Sequence, residues 1–226
     1  MSKALIVEDD VDIAADLARL LELNDWLVEI CHNGADALQL MLNYPFDLFL
    51  LDWNLPEMTG FEICQKYRRE GGNQPIIFIS GNSDIAFKES GLDAGSDDYI
   101  TKPFDERELM ARVRTVMRRP REIVQSEDRK IGSLHLDSRK RTIGDGSNVA
   151  QLTNMEYRLL EYLARHLGES FSTAQLFAAV WQSDSESSEE TVRVHIRILR
   201  KKLELAQLPQ ILMHRRGFGY SVVKSE

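Results

Sequence analysis

The stretch Leu48-Phe49-Leu50-Leu51-Asp52 joins a run of apolar residues to a single aspartate. Similar short runs occur at residues 4–7, 27–31, 76–80 and 98–100, and segments with helical periodicity separate them. Continuous apolar runs are typical of strands buried on both faces, and strands that alternate with helices form parallel sheets through right-handed crossovers. Residues 1–119 therefore predict an α/β domain with a five-stranded, doubly wound parallel sheet.

A second domain follows a polar segment. Residues 120–130 lack periodicity, which predicts a linker, and the 226-residue chain is long enough for two domains. Residues 131–226 contain short strand-like pieces, three helical segments and a hairpin-like end at Gly217-Phe218-Gly219-Tyr220. Thr153 and Glu156 fit a capping box that starts the first of these helices. The second half therefore predicts a small α+β domain.

Charge is distributed unevenly along the chain. The net charge is −8, with −10 in residues 1–120 and +2 in residues 121–226. An acidic total argues against a protein that coats nucleic acid without selectivity. Residues 191–217 nevertheless hold a local basic patch of seven side chains against the single acid Glu204: Arg193, Arg197, Arg200, Lys201, Lys202, Arg215 and Arg216.

The sequence gives no sign of a membrane segment. Glu8 interrupts the first apolar run too early for a signal peptide, and no apolar stretch approaches the roughly 20 residues that span a bilayer. We expect a soluble cytoplasmic protein with no membrane partner.

Acidic residues follow two of the predicted strands. Glu8, Asp9 and Asp10 come after the first strand, and Asp52 ends the third. In a parallel sheet these ends meet at one edge, where clustered carboxylates need a cation, and hard oxygen ligands suit Mg²⁺. An aspartate beside Mg²⁺ can attack a phosphoryl group and form an acyl phosphate. Asp52 is the candidate nucleophile.

Two donors follow the remaining strands. Ser80 ends the fourth strand and Lys102 follows the fifth, so both can contact a phosphoryl oxygen. Each feature alone has a simpler explanation, since acids after a strand are often helix N-caps and a lysine is often a solvated charge. Their occurrence together favours a phosphoryl site.

Residues 1–119 resemble a response-regulator receiver domain, which has a flavodoxin-like fold. The motifs are residues 5–10, residues 51–60 (LDWNLPEMTG) and residues 95–104 (GSDDYITKPF). The resemblance implies that Asp52 is the phosphoacceptor, that Lys102 contacts the phosphoryl group, and that Ser80 and Tyr99 form a switch pair. It also implies a Mg²⁺ site formed by Glu8, Asp9, Asp52 and the backbone carbonyl of Asn54. Ser80 stands where threonine is commoner, and Gly81 where alanine is usual.

Residues 190–203 predict a two-faced helix. Val192, Ile196, Leu199 and Leu203 follow helical spacing. The adjacent face carries the basic residues Arg193, Arg197, Arg200 and Lys201. A solvated charged face is the alternative. The nearby Arg215-Arg216-Gly217 favours DNA binding, with the helix in the major groove and a basic hairpin beside it.

Residues 131–223 resemble the winged-helix domain of the OmpR/PhoB family. The match is carried by residues 152–160, 191–203 and 216–220, in the family's order. It implies a recognition helix at residues 191–202 and a wing at residues 215–220. Ile198 stands where the family often has a basic residue, which either removes a phosphate contact or offers an apolar surface to a thymine methyl. The implied DNA contacts are Thr191, Arg193, His195, Arg197, Arg200, Lys201, Arg215, Arg216 and Tyr220.

Together the two resemblances imply a phosphorylation-controlled transcriptional regulator of a two-component system. Its partners would be a sensor histidine kinase, double-stranded promoter DNA, RNA polymerase and, when phosphorylated, a second copy of the chain. It would be no enzyme beyond self-phosphorylation from phosphodonors and autodephosphorylation. The implied dimer face comprises Lys88, Asp93, Asp97, Asp98, Glu108, Arg112 and Arg114.

Two alternatives compete with this interpretation. A metal-dependent phosphatase would use Asp52 on small phosphate esters, but the sequence offers no obvious second general acid. A DNA-binding protein whose first domain is purely structural would be switched by partners instead of phosphate. The complete set of acidic, hydroxyl and lysine residues argues against the second alternative.

Overall fold

The computed structural model describes residues 1–82, 84–117, 128–181 and 189–223. These residues belong to two compact units, one ending at Met117 and the other following it. Most of the predicted linker, residues 120–127, lies outside the described residues. Arg129 and Lys130 were predicted to end the linker, but they belong to the first strand of the second unit. The second unit therefore begins earlier along the chain than the sequence indicated.

The first unit is built on a parallel sheet with strand order β2-β1-β3-β4-β5. A helix follows each strand along the chain, which confirms the predicted five-stranded, doubly wound fold. The strands are β1 (Ser2–Val7), β2 (Trp26–Cys31), β3 (Leu48–Asp52), β4 (Ile76–Ser80) and β5 (Asp98–Thr101). The helices are α1 (Val11–Glu22), α2 (Gly34–Asn43), α3 (Gly60–Arg69), α4 (Ile85–Asp93) and α5 (Glu106–Met117).

Burial along the strands follows their place in the sheet. All five residues of β3 and of β4 are buried, as expected for central strands covered on both faces. The same expectation is wrong for β2, where Leu27 and Ile30 are exposed. β2 is an edge strand, so it has a neighbour on one side only. The predicted run at residues 27–31, which contains Glu29, therefore did not distinguish an edge strand from a central one.

The loop between β3 and α3 fixes the backbone beside Asp52. Thr59 and Glu62 form a capping box at the start of α3. The backbone N–H of Gly60 donates to the carbonyl of Trp53 at 3.0 Å. A Cβ atom added to Gly60 would lie 2.1 Å from the carbonyl oxygen of Asp52, so only glycine lets α3 begin this close to the strand end.

The second unit contains a four-stranded antiparallel sheet, three helices and a β-hairpin, and it confirms the predicted winged-helix domain. The predicted capping box of Thr153 and Glu156 is present at the start of the first helix. The strands of the sheet are β6 (Arg129–Ile131), β7 (Leu134–Asp137), β8 (Thr142–Gly144) and β9 (Val149–Gln151). The helices are α6 (Asn154–Arg165), α7 (Thr173–Val180) and α8 (Glu189–Leu205), and the hairpin pairs β10 (Leu212–Arg215) with β11 (Gly219–Val222).

Among the residues that the structure describes, every helix is too short or too polar to cross a lipid bilayer.

Candidate functional site

Three carboxylates meet where β1 and β3 end. One oxygen each from Glu8, Asp9 and Asp52 lies within 4.8 Å of the others. Glu8 and Asp52 are buried, whereas Asp9 is exposed. Asp10 has a different role, because its side chain accepts hydrogen bonds from two backbone N–H groups in the first turn of α1. The N-cap alternative is therefore correct for Asp10, and the cluster itself consists of the other three acids.

Lys102 brings one positive charge to these acids. Its Nζ atom lies 2.6 Å from Oε2 of Glu8 and 3.4 Å from Oδ1 of Asp52. Its backbone N–H donates to the carbonyl of Ser80 at 2.7 Å, which ties the ends of β4 and β5 together. The structure thus brings Glu8, Asp9, Asp52 and Lys102 to one edge of the sheet.

Burial makes the charged forms of two of these acids unfavourable. It raises the pKa of Glu8 and the pKa of Asp52, and the neighbouring Lys102 opposes both shifts. Three carboxylates facing one ammonium group leave an excess of negative charge. Carboxylate oxygens are the ligands that Mg²⁺ prefers, so the donor set fits that ion. Asn54 follows Asp52 by two residues and has an exposed side chain, and a ligand role for its carbonyl stays a prediction.

We predict that Asp52→Asn stabilises the first unit in metal-free buffer near neutral pH. The substitution removes a buried charge, and Lys102 keeps its pairing with Glu8. The midpoint of the corresponding thermal transition should rise by roughly 3–6 °C, the effect of about 1 kcal/mol in a domain of this size. Differential scanning calorimetry measures it.

The pH dependence of that difference follows from the direction of the shift. A raised pKa means that the folded state binds the proton more tightly than the unfolded state. The loss of folding stability caused by the Asp52 charge is therefore fully present above the raised pKa. It disappears as the pH falls below the ordinary pKa of 3.8. The difference between the two proteins should shrink over this interval. A variant less stable than the wild type at neutral pH would contradict the prediction.

The two residues of the predicted switch pair both contact Asn82. Oγ of Ser80 accepts from the Asn82 backbone N–H at 3.2 Å, and the Tyr99 hydroxyl donates to the Asn82 carbonyl at 2.7 Å. Ser80 is fully buried and Tyr99 is 5% exposed. Burial also raises the pKa of Tyr99. The Tyr99 ring thus lies inside the domain in this structure, and a switching role for the pair stays a prediction.

Trp53 lies at the centre of an aromatic cluster that was not predicted from the sequence. Its ring centroid lies 5.5 Å from that of Phe61, 5.2 Å from Phe78 and 5.3 Å from Phe87. Phe87 belongs to α4, so ring packing connects the residue after Asp52 with that helix. The sequence feature that could have indicated this cluster is the aromatic residue that directly follows the candidate nucleophile.

The structure removes Asp97 from the predicted dimer face. Asp97 is fully buried, and its carboxylate accepts from Arg68 at 3.0 Å and from the Ile76 backbone N–H at 3.1 Å. The prediction that Asp97 pairs across an interface is therefore wrong for this structure. Mixed charges in a sequence do not reveal whether a carboxylate is satisfied within its own chain.

Arg112 also pairs within the protomer. Its guanidinium lies 3.0 Å from Asp98 and 2.6 Å from Glu108. Burial disfavours the charged form, but the carboxylates of Asp98 and Glu108 outweigh it and raise the pKa of Arg112. The predicted face is corrected accordingly, since Arg112 and Asp98 are buried and paired with each other. Its remaining members are the half-buried Lys88, the half-buried Glu108 that pairs with Arg112, and the exposed Asp93 and Arg114.

An exposed basic stripe runs along α8. Arg193, Arg197 and Lys201 are exposed and follow one another at intervals of four residues, so they share one face of the helix. Arg193 is partly neutralised by Glu190, since the two side chains lie 2.6 Å apart. Thr191 is half-buried beside this stripe. The spacing agrees with the predicted recognition helix.

His195 does not belong to this surface. The residue is 1% exposed, and its ring packs 5.3 Å from that of Trp181. The prediction that His195 contacts DNA is therefore wrong, because the side chain lies on the core side of α8. Ile198 is only 7% exposed, which leaves little apolar surface for a thymine methyl.

Arg200 and Tyr220 connect α8 to the hairpin. Arg200 donates to the carbonyl of Leu212 at 3.0 Å, and its guanidinium carbon lies 5.9 Å from the Tyr220 ring centroid. That ring also packs 4.7 Å from His214. Both residues therefore help to position the hairpin, and DNA contacts by them stay predictions. Arg215 and Arg216 are exposed near its tip.

Lys202 has a structural role that its place in the basic segment did not reveal. Its Nζ atom lies 2.6 Å from the buried carboxylate of Glu156, so the pair joins α8 to the start of α6. Glu156 also completes the capping box of α6. A capping glutamate and a helix lysine are far apart in sequence, so their pairing required the folded structure.

A parallel sheet with clustered carboxylates and a lysine at its strand ends, followed by a winged-helix unit, defines a two-domain response regulator. Residues 4–114 match the response regulator receiver domain family, and residues 147–222 match the family described as transcriptional regulatory protein, C terminal. The chain belongs to the OmpR/PhoB family of response regulators.

Relatives match both domains together. The chain is 36% identical to the phosphate regulon transcriptional regulatory protein PhoB of Rhizobium meliloti over 225 residues, 98% of this chain and 99% of the relative. It is 32% identical to the response regulator MprA of Mycobacterium tuberculosis over 220 residues, 96% of each chain. A solved structure of a RitR variant covers 100% of both chains with a TM-score of 0.81 and 25% identity. These matches show a transcriptional response regulator with a receiver domain and a DNA-binding domain.

Proposed function

We propose that Asp52 accepts a phosphoryl group from a sensor histidine kinase and that this modification controls binding to promoter DNA in the cytoplasm. The cluster of Glu8, Asp9 and Asp52 beside Lys102 is the observation that carries the proposal. We also propose that the linker between the two domains ends before Arg129, where β6 begins.

The transfer uses groups that the pocket already places together. An oxygen of Asp52 forms a bond to phosphorus while the bond between phosphorus and the kinase histidine nitrogen breaks, and that nitrogen retains the electron pair. Lys102 lies close enough to Asp52 to donate to a phosphoryl oxygen. Mg²⁺ held by Glu8, Asp9 and Asp52 would neutralise charge on the phosphoryl oxygens. The same pocket would support self-phosphorylation from small phosphodonors and autodephosphorylation, and no wider enzyme activity.

Two connections can carry the change from the pocket towards α4 and β5. Ser80 and Tyr99 both contact Asn82, and Trp53 packs against Phe87 of α4. Phosphorylation adds roughly −1.5 to −2 charges, which Lys102 and Ser80 stabilise better in one conformation than in another. The modification would therefore shift a population of receiver conformations.

The shifted conformation would favour a homodimer on DNA. The charged residues left for cross-subunit contacts are the half-buried Lys88 and Glu108 and the exposed Asp93 and Arg114. A dimer places two recognition helices on paired half-sites and multiplies weak affinities through effective concentration. On each half-site the stripe of α8 and the arginines of the hairpin contact DNA, chiefly its phosphates. RNA polymerase would then be a further partner at the promoter.

Incubation with Mg²⁺ and acetyl phosphate tests the proposal. Intact mass should rise by one phosphoryl group, and the treated chain should select repeated half-sites from a random duplex pool more tightly than the untreated chain. Asp52→Asn should show neither change. Asp10→Asn, which replaces a helix-capping acid by an equally good cap, should behave as the wild type.

The alternative of a partner-switched DNA-binding protein predicts a different result. Such a chain would select DNA equally well with and without the phosphodonor and would gain no mass. That outcome would contradict phosphoryl control while leaving the DNA-binding domain intact.

A further inference from the structure

We propose that the phenyl ring of Phe218 contacts DNA directly, by packing against deoxyribose in the groove beside the one that α8 enters. The inference rests on the proposed DNA-binding function and adds to it a contact by Phe218, a residue to which the sequence assigned no role.

The turn between β10 and β11 presents this ring to solvent. Phe218 is 71% exposed at the tip of the hairpin. Its backbone N–H donates to the Arg215 carbonyl at 2.9 Å, which closes the turn. Gly217 and Gly219 flank it with φ values of 83° and 102°, conformations that glycine adopts without strain. The glycines on both sides have no side chain to cover the ring.

The base of the hairpin is anchored to the rest of the unit. Phe171 and Tyr220 exchange two backbone hydrogen bonds, of 2.9 and 2.8 Å. A Cβ atom at Gly219 would lie 2.0 Å from the Phe171 carbonyl oxygen, so the strand passes very close to this segment. Arg200 fixes the other strand through the Leu212 carbonyl. The tip therefore has a defined position, which reduces the entropy lost when it binds a ligand.

The charges around the ring select the kind of ligand. Arg215 and Arg216 are exposed beside it, and the stripe of Arg193, Arg197 and Lys201 runs along α8 in the same unit. DNA offers apolar sugar surface between two rows of phosphates, and a phenyl ring flanked by arginines complements that pattern. A single exposed apolar residue is ordinary on a protein surface. Its place on an anchored tip next to two arginines is what indicates a DNA contact.

Salt dependence separates an apolar contact from an ionic one. Phe218→Ala should weaken binding of the phosphodonor-treated full chain to a duplex selected from the random pool by about tenfold, the effect of losing a partly buried phenyl group. The slope of log affinity against log salt should not change, because no phosphate contact is lost. Arg216→Ala should reduce that slope by about one. Phe218→Leu should retain most of the affinity.

Leu205→Ala is the matched control, since Leu205 is a 74% exposed apolar residue at the end of α8 and does not belong to the hairpin. It should bind as the wild type, and all variants should keep the wild-type thermal midpoint. Wild-type affinity in Phe218→Ala would overturn the inference, and so would a loss accompanied by a reduced salt slope, which would indicate a displaced arginine. Failure of the wild-type chain to select any duplex would instead overturn the proposed function.

Discussion

Asp9→Asn should slow phosphoryl transfer from acetyl phosphate to Asp52 by about 100-fold or more, which corresponds to ~3 kcal/mol of lost transition-state stabilisation. Asp9 is the exposed member of the carboxylate cluster, and an amide of the same shape leaves no buried group unpaired. The substitution removes one charged ligand while Asp52 and Lys102 keep their 3.4 Å contact. The rate of mass gain in millimolar Mg²⁺, followed by intact mass spectrometry, measures the loss.

Asp10→Asn supplies the comparison that isolates the metal ligand. It makes the same chemical change one residue further along, at a side chain that caps α1. Asparagine is an equally good N-cap, so both folding and transfer should be unaffected. Equal rates for the Asp9 variant and the wild type at every Mg²⁺ concentration would show that Asp9 is not a ligand. Equal losses of transfer rate in both variants would show that the rate depends on the total negative charge of the pocket and not on Asp9 as a metal ligand.

Arg112→Met should destabilise the first unit by about 3 kcal/mol or more, the usual cost of removing one partner from a buried ion pair. Asp98 would then stay buried without the guanidinium that lies 3.0 Å away. Methionine fills much of the space of the arginine stem, so lost packing contributes little. Urea denaturation followed by circular dichroism measures the change.

Two variants distinguish the charge from other causes. Arg114→Met alters an exposed arginine on the same helix and should change stability by less than about 0.5 kcal/mol. Adding Asp98→Asn to Arg112→Met should recover much of the loss, because the uncompensated charge is gone. If Arg112→Met were as stable as the wild type while its phosphorylated dimer was lost, Arg112 would pair across the dimer interface and not within one protomer.

The sequence was sufficient for the parallel sheet because β3 and β4 are apolar up to Asp52 and Ser80, and such runs are typical of strands buried on both faces. It was insufficient for β2, whose run contains Glu29 and whose Leu27 and Ile30 are exposed. Whether a strand lies at the edge or the centre of the sheet depends on which strands pair with it. The sequence of a single strand does not contain this information.

The carboxylate pocket was predictable because topology alone brings the ends of β1, β3 and β5 together. Asp97 and His195 were misplaced for a common reason. Their neighbours in sequence are charged residues of the predicted contact surfaces. Each side chain is nevertheless buried against a residue distant in sequence, Arg68 for the aspartate and Trp181 for the histidine. The periodicity of a helix or strand indicates only approximately which of its residues face solvent. For a residue near the border between the exposed and buried faces, packing against other elements decides whether its side chain is buried.

Chemical mapping of the modified residue tests the central claim most directly. The chain is treated with acetyl phosphate and Mg²⁺, reduced with borohydride, which converts an aspartyl phosphate to homoserine, and digested for peptide mass spectrometry. We expect homoserine at position 52 and at no other aspartate, with none formed when Mg²⁺ is chelated. Homoserine at another position, or none in a folded chain that still selects DNA, would contradict phosphoryl transfer to Asp52.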